Sequence, residues 1–151
     1  IRDYKVTGVQ TCALPILDPN LGVSYYDNKE VTLADIPGLV EGAHEGVGLG
    51  DKFLRHIERC KILLHLIDIS EEDLVGNYLQ IRKELEKYDE DLSKKKEIIV
   101  FNKSDLLEEK DIKNKLKTFK NKTKKKFEII SVVADNNLTN LRKILLKNVH
   151  K

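Results

Sequence analysis

The chain has only two cysteines in 151 residues, Cys12 and Cys60. That excludes a disulfide framework and a cysteine-built metal site, and fits a reducing, cytoplasmic setting. It has no apolar run near the roughly 18 residues that cross a bilayer, and no charged-then-apolar leader opens it. A soluble protein with no membrane partner is therefore expected. It has little net charge, formally +2 at pH 7, but the average conceals two faces. Asp68 to Asp91 holds nine acids against three bases, and Lys110 to Lys126 holds nine lysines against one acid. Finally, it contains no Gly-x-x-x-x-Gly-Lys-Ser/Thr run, the usual backbone cradle for nucleotide phosphates.

What is present suits one compact domain, since 151 residues at 40% hydrophobic content build a single core. Short runs rich in β-branched residues alternate with helical stretches, the pattern of an α/β layer fold with a mostly parallel sheet. Strands are expected at Val23–Tyr26, Val31–Ile36, Ile62–Ile69, Ile98–Phe101 and Phe127–Val133. Asp27-Asn28-Lys29 should turn the first two into a hairpin. Helices should follow Gly50, Ser70, Asp105 and Asn136. The second opens at Ser70-Glu71-Glu72-Asp73, which resembles a capping box, and runs to about Tyr88. Leu138, Leu141, Leu145 and Val149 recur at helical spacing and mark a buried face. Val6–Ile16 (VTGVQTCALPI) is codon for codon the translation of a widely used short-read sequencing adapter, so residues 1–16 are expected to be artefactual and 17–151 to carry the native domain.

The chemistry concentrates at strand ends. Val31–Ile36 delivers Asp35 to a C-terminal strand end, where open α/β sheets place ligands, and Ile36-Pro37-Gly38 turns the chain away. A carboxylate there can hold Mg²⁺ of a nucleoside triphosphate through water, and Gly38 offers an uncrowded backbone N–H to a phosphate. Asp-x-x-Gly alone is a weak signal, because a bland turn reads the same way. Asn102-Lys103-Ser104-Asp105 follows another apolar strand. An ionised Asp105 can accept from the ring N–H and the exocyclic amine of guanine, a donor pair adenine lacks. The Lys103 stem can cover the base plane and Asn102 can tie the loop to its neighbours. The competing reading is a polar turn with Asp105 as a helix N-cap. Ser131, Val132 and Val133 end a third strand, where backbone N–H groups can meet the guanine oxygen. Five of the eight glycines fall at 38, 42, 46, 48 and 50, which marks a switch-like segment. A dinucleotide fingerprint there fails on Asp51 and on the lack of a directly preceding strand.

Read together, Pro19-Asn20-Leu21-Gly22-Val23, the run from Asp35 to Cys60 (DIPGLVEGAHEGVGLGDKFLRHIERC) and Asn102-Lys103-Ser104-Asp105 closely resemble the G domain of the Obg family of bacterial GTPases. The resemblance spans about Leu17 to the C-terminus. It implies a Ras-like P-loop GTPase fold, here without the first strand and phosphate loop, and a cytoplasmic, monomeric enzyme that binds GTP or GDP with Mg²⁺. It also implies hydrolysis of GTP, a role in large-ribosomal-subunit assembly and stress-linked control, and the large subunit with its rRNA as partner. On the same resemblance Asp35 and Gly38 sense magnesium and the γ-phosphate, Asn102, Lys103 and Asp105 read guanine, and Ser131 with Val132 completes the base pocket. Three features depart from the pattern: the phosphate-loop motif is absent, the expected first-switch Thr-Thr falls on Pro15 and Ile16, and Val132 stands where alanine is usual. Loss of charge-assisted bonds to the β- and γ-phosphates, each worth roughly 1.5 to 3 kcal/mol, should weaken nucleotide binding by several powers of ten.

Leu39 follows the Asp-x-x-Gly run where Ras-type enzymes place a water-positioning Gln, so no catalytic residue is assigned. Glu41 and His44 read as exposed switch residues, and His56 and His65 as packing or surface residues. The lysine run from Lys110 to Lys126 reads first as a solvated helix face. Alternatives to the GTPase are a non-catalytic RNA- or ribosome-binding module that uses this lysine face, and an inert fragment. In Ras-like sheets the strand leading into the phosphate loop lies between the strand ending at Asp35 and Ile62–Ile69. Here the sheet must leave a gap, pair those two directly, or recruit Tyr4–Cys12 as a stand-in.

Overall fold

The structure is a computed structural model that describes residues 5–10, 21–35 and 59–150. Six strands form one sheet in the order β2-β3-β1-β4-β5-β6. They are β1 Lys5–Gln10, β2 Leu21–Tyr26, β3 Lys29–Asp35, β4 Ile62–Asp68, β5 Lys96–Asn102 and β6 Phe127–Ile129. The helices are α1 Leu74–Tyr88, α2 Glu90–Ser93, α3 Glu109–Thr123 and α4 Leu138–Val149, with a 3₁₀ turn at Ser104–Leu106.

The third option for the sheet is the one observed. β1, drawn from the segment read as foreign, lies between β3 and β4 and runs antiparallel to both. Parallel pairing is thereby confined to β4–β5 and β5–β6. Two successive reversals across β1 leave β3 pointing the same way as β4, so the strands that carry Asp35, Asp68, Asn102 and the run into Ser131 all end on one edge of the sheet.

The β2–β3 hairpin turns at Asp27 and Asn28, with φ of 52° and 55°. Positive φ at both central positions is the two-residue turn that matches strand twist, and Asp and Asn tolerate it better than most side chains. Two cores then form on opposite faces. Alternate residues of β4 and β5, namely Ile62, Leu64, Ile98 and Val100, meet Leu141, Leu145, Leu146 and Val149 of α4. The other alternation, with Ile67, Ile99 and Phe101, packs against Leu74 and Tyr78 of α1 and Leu116 and Phe119 of α3. Burial on both faces explains why β4 and β5 read as nearly continuous apolar runs. Phe119 makes edge-on contacts with Tyr78, Phe101 and Phe127 at 5.4, 4.9 and 6.0 Å, so the aromatic cluster bridges α1, α3 and the sheet.

One polar network crosses the second core. His65 is 1% exposed, and its Nδ1 lies 3.0 Å from Glu97 Oε1, while Tyr78 Oη donates to Glu97 Oε2 at 2.9 Å. Arg82 Nη1 stands 3.7 Å from Glu97, and Arg82 Nη2 donates to the Ser93 carbonyl at 2.6 Å. Glu97 therefore joins β5 to β4 and α1 through one carboxylate, and Arg82 carries the link on to α2.

Two sequence expectations need correction. The second helix starts at Leu74 with Asp73 as N-cap. The Ser70 hydroxyl is taken by Asp68 at 2.6 Å, so Ser70 cannot open the helix. Phe127–Val133 is strand only to Ile129, because Ser131 instead pairs with Asn136 across a turn. The helix expected after Gly50 lies outside the described residues, as do Leu39, Glu41, His44 and His56. The buried stripe of α4 is as expected, with Leu141, Leu145 and Val149 buried and Leu138 partly so.

The cap gives a first quantitative expectation. Asp73 Oδ1 accepts from Gly76 N at 2.8 Å, so Asp73→Ala should cost about 1 kcal/mol in urea unfolding. Gly76→Ala should come out near zero. Alanine is better in a helix by ~1 kcal/mol, but its Cβ would sit 2.2 Å from Asp73 Oδ2 and displace the same cap.

Candidate functional site

The edge formed by the C-terminal ends of β3, β4 and β5 gathers the site. Asp68 and Asn102 are register partners, and β6 runs parallel beside β5, so the loops after β5 and β6 rise side by side. Phe101 O accepts from Ile130 N at 2.8 Å, and Ile130 O accepts from Ser104 N at 3.2 Å. The two loops are thus stitched by backbone before any side chain acts.

Asn102 Oδ1 accepts from Val132 N at 3.1 Å and ties the loop after β5 to the loop after β6. Ser131 is 1% exposed; its Oγ donates to Asp105 Oδ1 and accepts from Ala134 N at 3.0 Å. One buried hydroxyl therefore orients the Asp105 carboxylate and closes the Val132–Asp135 turn. Asp105 itself is exposed at the loop surface, with an oxygen left for a ligand. It caps no helix: Lys103 precedes the 3₁₀ turn without a side-chain cap bond, and Glu108 stands at the N-cap of α3.

Lys103 is left-handed, with φ 66° and ψ 34°, a conformation that costs a non-glycine residue roughly 1 kcal/mol or more. A salt bridge holds it there, since Lys103 Nζ lies 2.7 Å from Asp68 Oδ2. The other Asp68 oxygen accepts from Ser70 N and Ser70 Oγ at 2.9 and 2.6 Å. Burial alone would raise the Asp68 carboxyl, but the bonds from Lys103 and Ser70 outweigh it and hold the group below its ordinary value. The loop carrying Ser70 is fixed in turn by Lys115, whose Nζ donates to the carbonyls of Ile69, Ser70 and Glu71 at 3.1, 3.3 and 2.7 Å. Asp68, Ser70 and Lys115 were not expected from sequence. Asp68 carries the one signal that could have found it, a carboxylate at the C-terminal end of an apolar strand, as at Asp35.

The backbone donors sort themselves. Val132 N is committed to Asn102 and Ala134 N to Ser131, whereas among the described residues Val133 N has no partner. The Val133 side chain is 87% exposed and that of Val132 55%, and Leu106 across the loop is 59% exposed. No described residue buries these three apolar side chains.

Asp35 stands apart from this cluster. Its register through Thr7 sets it level with Leu64, four residues short of Asp68 and two strands away. Among the described residues its half-buried carboxylate has no partner, and no group of three or more His, Cys, Asp or Glu side chains gathers there. A Mg²⁺ ion takes one or two protein carboxylates and completes its shell with water and phosphate oxygens, so a lone carboxylate at this edge fits that ion. Ile36, Pro37 and Gly38 lie outside the described residues. No helix among the described residues is long and apolar enough to cross a membrane.

Comparison with known proteins places this geometry. The family model for the 50S ribosome-binding GTPase matches residues 9–103. The GTPase Obg of Pelagibacter ubique (strain HTCC1062) is 56% identical over 149 residues, which is 99% of this chain and 43% of that protein. The GTPase Obg of Ehrlichia canis (strain Jake) is 52% identical over 151 residues, 100% of this chain and 42% of that one. The GTPase Obg of Rickettsia felis is 47% identical over 149 residues. The chain thus spans less than half the length of the curated relatives it matches. With the strand order, the stitched loops and these matches in hand, the chain belongs to the 50S ribosome-binding GTPase family, a family of GTP-hydrolysing enzymes, in its Obg branch.

Proposed function

We propose that this chain is the base-reading part of an Obg-type G domain, residues 17–151, and that its edge loops bind guanine. The observation that carries the reading is the Ser131–Asp105 bond, which presents a carboxylate to solvent in one orientation beside the unpartnered Val133 N–H. The carboxylate accepts the guanine N1–H and exocyclic amine, Val133 N–H donates to the guanine O6, and the Lys103 stem, pinned by Asp68, lies along the base. Ser104 and Val132 support the loops through their backbone N–H groups. Asp35 holds Mg²⁺ through water, and Ile36-Pro37-Gly38 follows the γ-phosphate. When bound, the metal supplies charge neutralisation at the phosphates. In the whole protein this domain hydrolyses GTP and acts in the cytoplasm, as a monomer, on the large ribosomal subunit, where nucleotide state controls docking.

Nothing in these 151 residues supplies the Gly-Lys-Ser/Thr cradle, so the base contributes most of the affinity. Guanosine and GDP should therefore bind with similar, millimolar dissociation constants, about 4 kcal/mol, and adenosine should not bind. The check is an amide-resonance titration. Guanosine should move the signals of Asn102, Lys103, Asp105, Ser131 and Val133 and leave α2 still. Equal shifts with adenosine, or none at tens of millimolar guanosine, would sink the guanine reading.

A further inference from the structure

The opposite end of the sheet holds a second feature that the nucleotide reading does not use. A cavity of about 330 Å³ opens at the start of β5, roughly 20 Å along that strand from Asn102 at ~3.3 Å per residue. Three separate segments bring cations to it: Arg82 from α1, Lys94 to Lys96 between α2 and β5, and Lys125 with Lys126 ahead of β6. Among the described residues Glu97 is its sole acid, and that carboxylate already serves His65, Tyr78 and Arg82. A solvated helix face does not explain convergence from three segments, because like charges brought together repel and raise the local potential.

Their partners divide them. Lys94 pairs with Glu90 at 2.8 Å, Lys95 Nζ donates to the Cys60 carbonyl, and Lys96 to Asn148. Lys125 and Lys126 have no side-chain partner among the described residues. Arg82 Nη1 is buried and makes no hydrogen bond. The Arg82 charge faces Glu97, so Lys125 and Lys126 are the cavity's donors without a protein acceptor among the described residues, and an anion supplies one. Lys124 turns the chain here with φ 57°, which ends α3 and lets the two following lysines reach the cavity.

The wall chemistry narrows the anion. Among the described residues no aromatic side chain lines the cavity and Ile99 is its one aliphatic residue, so neither base stacking nor an apolar ligand is served by them. Lys124, Lys122 and Lys120, all exposed at the end of α3, extend the run of cations along the chain from Lys125 and Lys126. A ligand with phosphates repeating beyond the cavity fits that extension better than one small anion. We propose that this pole docks the phosphodiester backbone of an RNA duplex, with Lys125 and Lys126 at its centre. The phosphate chemistry comes from the cavity alone; the choice of RNA rests on the ribosomal reading above.

The test is anisotropy of a labelled RNA hairpin duplex of about 20 base pairs with the 151-residue chain, over ~50 to 200 mM KCl. Affinity should fall steeply with salt. The double reversal Lys125→Glu/Lys126→Glu should weaken binding at least ~10-fold and lower the log–log salt slope by about 2. The milder Lys125→Gln/Lys126→Gln should do the same in part, and guanosine shifts should survive in both. Reversal of Lys110 and Lys113, at the far end of α3, should change affinity less than ~2-fold. Unchanged binding in the Lys125/Lys126 variants overturns the proposal, as does an equal loss in the Lys110/Lys113 control. Binding of tripolyphosphate without binding of the duplex overturns it too. Because guanosine is read separately, failure here leaves the guanine site standing.

Discussion

Asp105→Asn should remove the response to guanosine and create one to xanthosine. The carboxylate of Asp105 is an acceptor on both oxygens, and Ser131 Oγ occupies part of one of them, which leaves the two acceptor positions that guanine N1–H and its exocyclic amine require. Asparagine replaces one acceptor with an NH₂ donor. That donor faces the guanine amine, donor against donor, whereas xanthine presents a carbonyl at the same position and still offers N1–H. Two charge-assisted bonds at roughly 1.5 to 3 kcal/mol each put the guanosine loss at two to four powers of ten, so from a millimolar start no binding should be measurable. Xanthosine should move the same resonances that guanosine moves in the parent chain. Ser131→Ala keeps the acceptor but frees its orientation and should cost guanosine several-fold, about 1 kcal/mol. An Asp105→Asn chain that still binds guanosine and ignores xanthosine, with unfolding unchanged, would show that Asp105 is a surface carboxylate and nothing more.

The Asn102–Asp105 half of this site is legible in sequence because its geometry is local. Asn102 to Asp105 is a strand end followed by a tight turn, and the strand pattern alone fixes which edge it occupies. What sequence missed depends on contacts between segments. Asp68 and Ser70 were absorbed into an apolar strand and a supposed capping box, and only the parallel register of β4 with β5 reveals that Asp68 faces Lys103. The same contact explains the misplaced helix start, since a serine bonded to Asp68 is not available as an N-cap and Asp73 takes over. Val132 and Val133 were read as strand because they are β-branched, yet both are exposed. Propensity measures fit to a half-buried surface, and no surface covers them. The sheet's antiparallel centre was legible only as one of three options, because occupancy of the slot between β3 and β4 is decided by unsatisfied strand edges and not by any residue preference. The lysine run shows the same limit from the other side. Lys113 pairs with Glu109 and Lys115 braces a loop, so its first half is structural, while its last two residues reach a cavity that sequence spacing does not show.

Glu97→Ala should be among the most destabilising single changes in the chain, at about 3 to 5 kcal/mol in urea unfolding. The Glu97 side chain is 10% exposed, and its removal strands three groups at once. The His65 Nδ1–H, which donates to Glu97 in the tautomer that fits this contact, loses its acceptor while Nε2 is already buried without a partner. Tyr78 loses the acceptor of its hydroxyl, and burial together with the Glu97 charge keeps that hydroxyl protonated far above the ordinary tyrosine range. Arg82 loses the charge nearest its buried Nη1. Glu97→Gln keeps the shape and one acceptor, and should cost less, about 1 to 3 kcal/mol. Acid separates this network from simple loss of volume. Burial alone would raise the Glu97 carboxyl, but His65, Arg82 and Tyr78 together hold it below its ordinary 4.5. A depressed folded value means that the unfolded chain takes up the proton first, so the contribution is complete above about pH 5 and is lost as pH falls below 4.5 through the folded value. The gap between the parent and Glu97→Gln should therefore be constant near neutrality and shrink below pH 4.5, while the gap for Phe119→Ala, an apolar loss with no titrating group, should not follow that titration. A Glu97→Gln gap that stays flat down to pH 3 would mean that the carboxylate charge contributes nothing and that the contacts at Glu97 act by shape alone.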